Sequence, residues 1–145
     1  MGRGNSIQSD NYVRDILQTT TDPIPSIRQF PRSVMRALGD IASQQPFRIA
    51  DAGQPYNATD AILDPKLPFR RLIFATKSSK HFLVCYMRGG FASAVCIVAF
   101  ATDTKDSARP VLIATMWTPC ESLKQLQKAF EQHDLNQYRP TSMDF

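Results

Sequence analysis

The chain has 145 residues, of which 43% are hydrophobic and 21% charged, with 6 glycines and 10 prolines. That length and apolar content suit a single domain, 1–145, with its own core, and exclude a disordered chain, a collagen-like repeat and a low-complexity linker. Against 13 acidic residues stand 17 lysines and arginines, a net charge of +4. This modest excess favours an acidic partner but does not mark a nucleic-acid binder, because the basic residues are spread from Arg3 to Arg139.

The longest uncharged stretch, Gly89–Thr102, is shorter than the ~18 residues of a membrane-spanning helix and opens on a Gly-Gly turn signal. No membrane span is expected. Met1–Asp10 lacks the apolar run of a secretory signal, so a cytoplasmic location is expected. Cys85, Cys96 and Cys120 show neither C-x-x-C nor Cys/His ligand spacing and are odd in number, which favours reduced thiols and no structural disulfide.

From Asn11 to Thr19 the spacing of Tyr12, Val13, Ile16 and Leu17 predicts a short amphipathic helix, which Ser9 or Asp10 can cap. The run Thr19–Pro25 holds Pro23 and Pro25 and reads as a loop. A second helix is expected from about Pro31 to Gln44, with Val34, Met35, Leu38, Ile41 and Ala42 inward and Arg32 and Arg36 outward. Gly39 inside it implies a close helix-to-sheet contact or an early end. Phe47–Ala50 reads as a short edge strand, and the stretch to Pro68 reads mostly as loop.

Four runs rich in Val, Ile, Phe, Leu and Tyr then follow: Arg70–Thr76, His81–Arg88, Phe91–Ala101 and Pro110–Met116. Their short connections predict strands of an antiparallel meander. Gly89-Gly90 as a tight primed turn sets Arg88 opposite Phe91, Tyr86 opposite Ser93 and Cys85 opposite Ala94. One face then carries Leu83, Cys85, Met87, Ala92, Ala94, Cys96 and Val98; the other carries Phe82, Val84, Tyr86, Arg88, Phe91, Ser93, Val95 and Ile97. Neither face alternates with polar residues, so both are expected to be largely covered. Thr118-Pro119-Cys120-Glu121 matches a capping box and predicts the start of a last helix, with Leu123, Leu126, Ala129 and Phe130 inward. The polar tails, 1–9 and 136–145, are expected to be poorly ordered.

Chemistry-bearing residues are few. Cys120 at a helix start would have a lowered pKa and is the one weak catalytic candidate, though no spacing supplies it with a base. His81 beside a turn reads as a surface residue, and His133 as a partner for a helix C-terminus; two histidines are too few for a zinc cluster, and no metal site is expected. Asp51, Asp60 and Asp64 read as turn formers before they read as a metal or acid–base pair. Arg28, Arg32 and Arg36 form one basic group and Lys66, Arg70 and Arg71 another, without recognised aromatic neighbours. No phosphate-loop, dinucleotide or zinc-protease motif is present, so no cofactor is expected.

The stretch His81-Phe82-Leu83-Val84-Cys85-Tyr86-Met87-Arg88-Gly89-Gly90-Phe91, followed by an apolar strand and a charged turn, resembles a pattern in small bacterial immunity proteins encoded beside secreted or contact-delivered toxins. The resemblance is limited to this central hairpin and carries over no functional residue. It implies a bacterial, non-enzymatic cytoplasmic protein that neutralises a cognate toxin domain.

The expected fold is α+β: two N-terminal helices, a four- or five-stranded antiparallel sheet, and a C-terminal helix packed on the sheet. The expected function is protein binding through Tyr86, Arg88, Arg71 and Phe91, where the aromatic sheet face is left partly open. Two alternatives stand beside it. One is a small enzyme using Cys120 or the loop carboxylates; the other is a homodimer or larger homo-oligomer, ligand-binding, that buries the same face between subunits. Nucleic acid and membrane are not the expected partners.

Overall fold

The computed structural model describes residues 10–59, 64–90, 93–102 and 106–138. Asp60, Phe91 and the tails 1–9 and 139–145 lie outside the described residues. The fold is α+β, with a six-stranded antiparallel sheet in place of the four or five strands expected. The strands are β1 (Asp22–Pro23), β2 (Arg70–Lys77), β3 (His81–Arg88), β4 (Ala94–Ala101), β5 (Arg109–Met116) and β6 (Asn136–Tyr138), and they pair in chain order.

The two additional strands are both at edges. In β1, Asp22 and Pro23 pair with Lys77 and Thr76, and an edge position is where proline is tolerated because it has no amide to donate inward. Residues 136–138, expected in the polar tail, pair instead with Ile113, Ala114 and Thr115 of β5. The edge strand expected over Phe47–Ala50 reduces to one parallel bridge, Ala50 to Arg71. It caps the end of β2 that β1 leaves free, since Ala50 N–H donates to Arg70 O and Leu72 N–H to Ala50 O.

Three α-helices cover the sheet: α1 (Asp10–Thr19), α2 (Arg32–Ala42) and α3 (Leu123–Glu131). Val13, Ile16 and Leu17 of α1 and Leu126, Ala129 and Phe130 of α3 close over Leu83, Cys85, Val95, Ile97 and Ala99. On the opposite face Val34, Leu38 and Ile41 of α2, with Phe30 and Phe47, close over Phe82, Val84, Tyr86, Cys96, Val98 and Phe100. Each large side chain so buried contributes about 1.5–3 kcal/mol relative to exposure. Within α2, Gly39 faces neither the sheet nor a helix end. The side chain of Gln45 lies against it, with Nε2 donating to Arg36 O and Asp40 Oδ1, and the helix ends at Ser43 in a left-handed conformation.

The hairpin register differs from the expected one. Arg88 pairs with Ala94, Tyr86 with Cys96 and Cys85 with Ile97, a shift of three residues that turns β4 over. Val95 and Ile97 therefore face α1 and α3, while Cys96 and Val98 face α2. The reason lies in the connection. Gly90 takes the positive φ (102°), but Gly89 is needed for something else: a Cβ there would collide with the backbone of Asn57 and Ala58, and its N–H donates to Phe69 O at 2.6 Å. The turn is thus longer than two residues, and its first glycine is a seat for the preceding loop.

Helix α3 begins later than Thr118-Pro119-Cys120-Glu121 implies. Its N-cap is Ser122, whose hydroxyl accepts from Gln125 N–H at 3.2 Å, while Gln125 Oε1 reaches back to accept from Glu121 N–H at 2.6 Å. Ser122-Leu123-Lys124-Gln125 is itself an S-x-x-Q box, and it is the one used. Among the described residues, no helix is long and apolar enough to cross a membrane.

Candidate functional site: the arginine–aromatic end of the sheet

With both faces closed, the expected open aromatic face is absent. Tyr86 is 0% exposed, with its ring edge-on to Phe47 at 5.7 Å, and Phe82 and Val84 are buried under the α2 side. The physical reason is that α2 together with Phe30 and Phe47 supplies enough apolar area to cover this face within the chain. The residues expected to bind are thereby separated: Tyr86 is in the core, Arg71 and Arg88 are half-buried at the sheet's end, and Phe91 is outside the described residues.

The antiparallel meander brings one end of every long strand together. Arg70 opens β2 opposite Arg88, which closes β3; Arg88 also faces Ala94, which opens β4; Val95 faces Met116, which closes β5. Trp117 follows at once and is 64% exposed. Neighbouring strands are about 4.8 Å apart, so Arg70, Arg88 and Trp117 lie along one row roughly 15 Å wide.

Aromatic rings hold the arginines in place. The Arg70 guanidinium is stacked at 4.5 Å on both Phe47 and Phe69, and Nη1 donates to Gln44 Oε1 at 2.7 Å. Arg71, pointing to the other side of β2, lies 4.4 Å over the ring of Tyr56. Arg48, fully outside, donates through Nη2 to Lys66 O. Phe69 and Trp117 are the large hydrophobics exposed to solvent among the described residues, and both stand at this end. Burial chiefly, and Arg88 beside it, depress the Arg70 pKa, against the opposing influence of Tyr86 and Cys96. Like charges paired across strands repel, and Arg70 and Arg88 stand opposite each other here.

The other candidate residues are engaged elsewhere. Asp51 is structural: its carboxylate accepts from Ser26 Oγ at 3.0 Å and from Ile27 N–H at 2.7 Å. Asp64 accepts from Lys66 N–H, closing a turn, and Asp60 lies outside the described residues. His81 is buried rather than superficial, 3.0 Å from the Tyr12 hydroxyl through Nε2. His133 follows the end of α3, its N–H donating to Phe130 O. Arg28, Arg32 and Arg36 are exposed. Cys120 precedes the helix it was expected to open and is 2% exposed; its Sγ donates to Ser122 O at 3.6 Å. Among the described residues no group of three or more His, Cys, Asp or Glu is placed to hold a metal ion.

Sequence reasoning passed over Trp117, Phe69 and Tyr56. The Phe69-Arg70-Arg71 run and the single tryptophan just beyond a strand were the available signals. Comparison of the chain with family models, with curated proteins and with solved structures finds no match, so the functional reading stands on these residues.

Proposed function

We propose that the protein is a non-enzymatic binding module that docks an acidic protein partner on the sheet end formed by Phe69, Arg71, Arg88 and Trp117. The observation that carries this reading is the coincidence of the exposed large aromatics with paired arginines at one end of a sheet closed on both faces. Tryptophan and arginine are residue types that dominate interface energetics, and here the Arg70 guanidinium lies 4.5 Å from the exposed Phe69 ring. The likeness of the hairpin to immunity proteins supports a narrower reading, in which that partner is a toxin domain. Co-purification with the product of an adjacent gene tests that narrower reading.

The single tryptophan provides a direct assay. Trp117 emission is titrated with an acidic polypeptide, poly-glutamate, and separately with a single-stranded oligonucleotide. The expected result is a salt-sensitive response to the polypeptide that Arg71→Glu and Arg88→Glu each abolish. Tighter binding of the oligonucleotide would replace the protein partner by a nucleic acid whose bases stack on Phe69 and Trp117. No response to either would remove the site. With a cognate partner, Trp117→Ala weakens binding by about 30-fold, on the order of 2 kcal/mol, and leaves the fold intact.

A further inference from the structure

Helices α1 and α3 lie side by side on one face of the sheet, and a groove of about 260 Å³ opens between them at the surface. Its floor is Leu17 and Phe130, both buried members of the core beneath. Arg14 of α1 stands on one side; Lys124, Lys128 and Glu131, on successive turns of α3, stand on the other. The helices are braced across the groove. Arg14 Nε donates to Glu131 Oε2 at 2.7 Å and Nη2 to Glu131 Oε1 at 3.1 Å, a bidentate pair. Leu17 O, one of the last-turn carbonyls that a helix leaves without an internal partner, accepts from Gln127 Nε2 at 2.7 Å. These contacts fix the spacing of the walls.

The charges of the lining do not cancel. Glu131 is its one carboxylate, and Arg14 occupies both oxygens while lying 5.5 Å from the centroid of the Phe130 ring. Lys124 and Lys128 are exposed, one turn apart, and make no ion pair among the described residues. Like charges at this spacing repel, and an anion between the two ammonium groups relieves the repulsion. The floor asks for something different. An inorganic anion satisfies the lysines but leaves Leu17 and Phe130 uncovered, whereas an anion with an apolar body meets both demands. The volume lies below the roughly 300–1,000 Å³ of sites for drug-sized molecules, which limits that body to the size of a single ring.

We propose that the groove between α1 and α3 binds a small amphipathic carboxylate, its charged head between Lys124 and Lys128 and its apolar body on Leu17 and Phe130. The site shares no residue with the arginine–aromatic end of the sheet and does not rest on the function proposed for it. A ligand seated there touches both helices, so occupancy fastens α1 to α3 and raises the stability of the folded chain.

The test titrates the folded full chain with sodium benzoate and follows backbone amide NMR shifts, which also report that each variant is folded. The expected result is a saturable shift centred on α1 and α3, weakened by added salt and accompanied by a higher Tm. Benzyl alcohol, which keeps the ring and lacks the charge, and Lys124→Gln combined with Lys128→Gln are each expected to bind at least about tenfold more weakly. Inorganic phosphate, which lacks the apolar body, binds more weakly than benzoate. Gln18→Phe, adding bulk from the α1 side of the lining, abolishes binding. Arg32→Gln combined with Arg36→Gln, which removes the same charge from α2, leaves it unchanged. Benzyl alcohol or phosphate binding as tightly as benzoate, an unaltered affinity in the double lysine variant, or no saturable shift in α1 and α3 would each overturn the proposal. Shifts confined to Arg88 and Trp117 would overturn it as well and assign the anion to the end of the sheet.

Discussion

The two faces of the sheet are closed in different ways. One takes two helices from opposite ends of the chain, α1 and α3, over small and aliphatic side chains, and is tied at its surface by Arg14 and Glu131 at 2.7 Å and by Gln127 Nε2 donating to Leu17 O. The other takes one helix, α2, and makes up the remaining area with rings, Phe30 edge-on to Phe82 at 5.0 Å and Phe47 edge-on to Tyr86. In both, helices of the chain itself close over the sheet face. The large hydrophobics exposed among the described residues, Phe69 and Trp117, stand instead at the sheet's end.

The sharpest way to break this comparison is to remove a ring from the aromatic face. Phe100 is 0% exposed, and Phe100→Ala is expected to cost about 3–5 kcal/mol in chemical denaturation. A loss under about 1 kcal/mol would mean that α2 does not close this face. Leu126→Ala, on the opposite face, is expected to cost about 2–5 kcal/mol, so the two cores should weaken comparably despite their different lids.

The lid of the first face depends on where α3 starts. Ser122→Ala is expected to cost about 1 kcal/mol through loss of its N-cap, whereas Thr118→Ala, at an exposed position ahead of the helix, is expected to change stability by less than about 0.5 kcal/mol. Denaturation midpoints of the two variants decide between the two capping boxes, and a larger loss at Thr118 would move the helix start back.

The smallest effect belongs to the surface tie between α1 and α3. The Arg14 hydrogen bond, together with its charge, holds the Glu131 carboxyl below its ordinary value, and the same contact raises Arg14. A carboxylate whose folded pKa is depressed stabilises the fold above its unfolded pKa and loses that contribution as pH falls through the folded one. The wild type should therefore show a slightly steeper decline in stability on acidification than Glu131→Gln. The pair is solvent-exposed, so the difference should shrink in high salt. Superimposable acid profiles would show that the pair contributes nothing.

Much of the architecture was legible because local signals were unambiguous. The spacing of Val13, Ile16 and Leu17 marks α1, that of Val34, Leu38 and Ile41 marks α2, and the bounds of β3 are met residue for residue. What failed were choices between two patterns that satisfy the same local rule. Thr118-Pro119-Cys120-Glu121 and Ser122-Leu123-Lys124-Gln125 both read as capping boxes. Gly89-Gly90 reads as a tight turn until the loop at Asn57 and Ala58 is seen to need the first glycine's open side. The candidate site was half legible: Arg71 and Arg88 were named as bordering the aromatic sheet face, whereas Trp117, Phe69 and Tyr56 join them only through strand order.

By itself the amino-acid sequence determined the class of fold and the meander, because apolar periodicity and turn residues act over a few neighbours. Tertiary structure alone decided the register of β4, and with it that Cys85 and Cys96 lie on opposite faces. Ala94–Ala101 is apolar at every position and fits the core whichever way it faces, so only packing against α1, α2 and α3 selects one side. The same holds for the arginine–aromatic end of the sheet. Residues as distant in sequence as Phe69, Arg88 and Trp117 become neighbours only when antiparallel pairing folds their strand ends together, a long-range contact that no local pattern encodes.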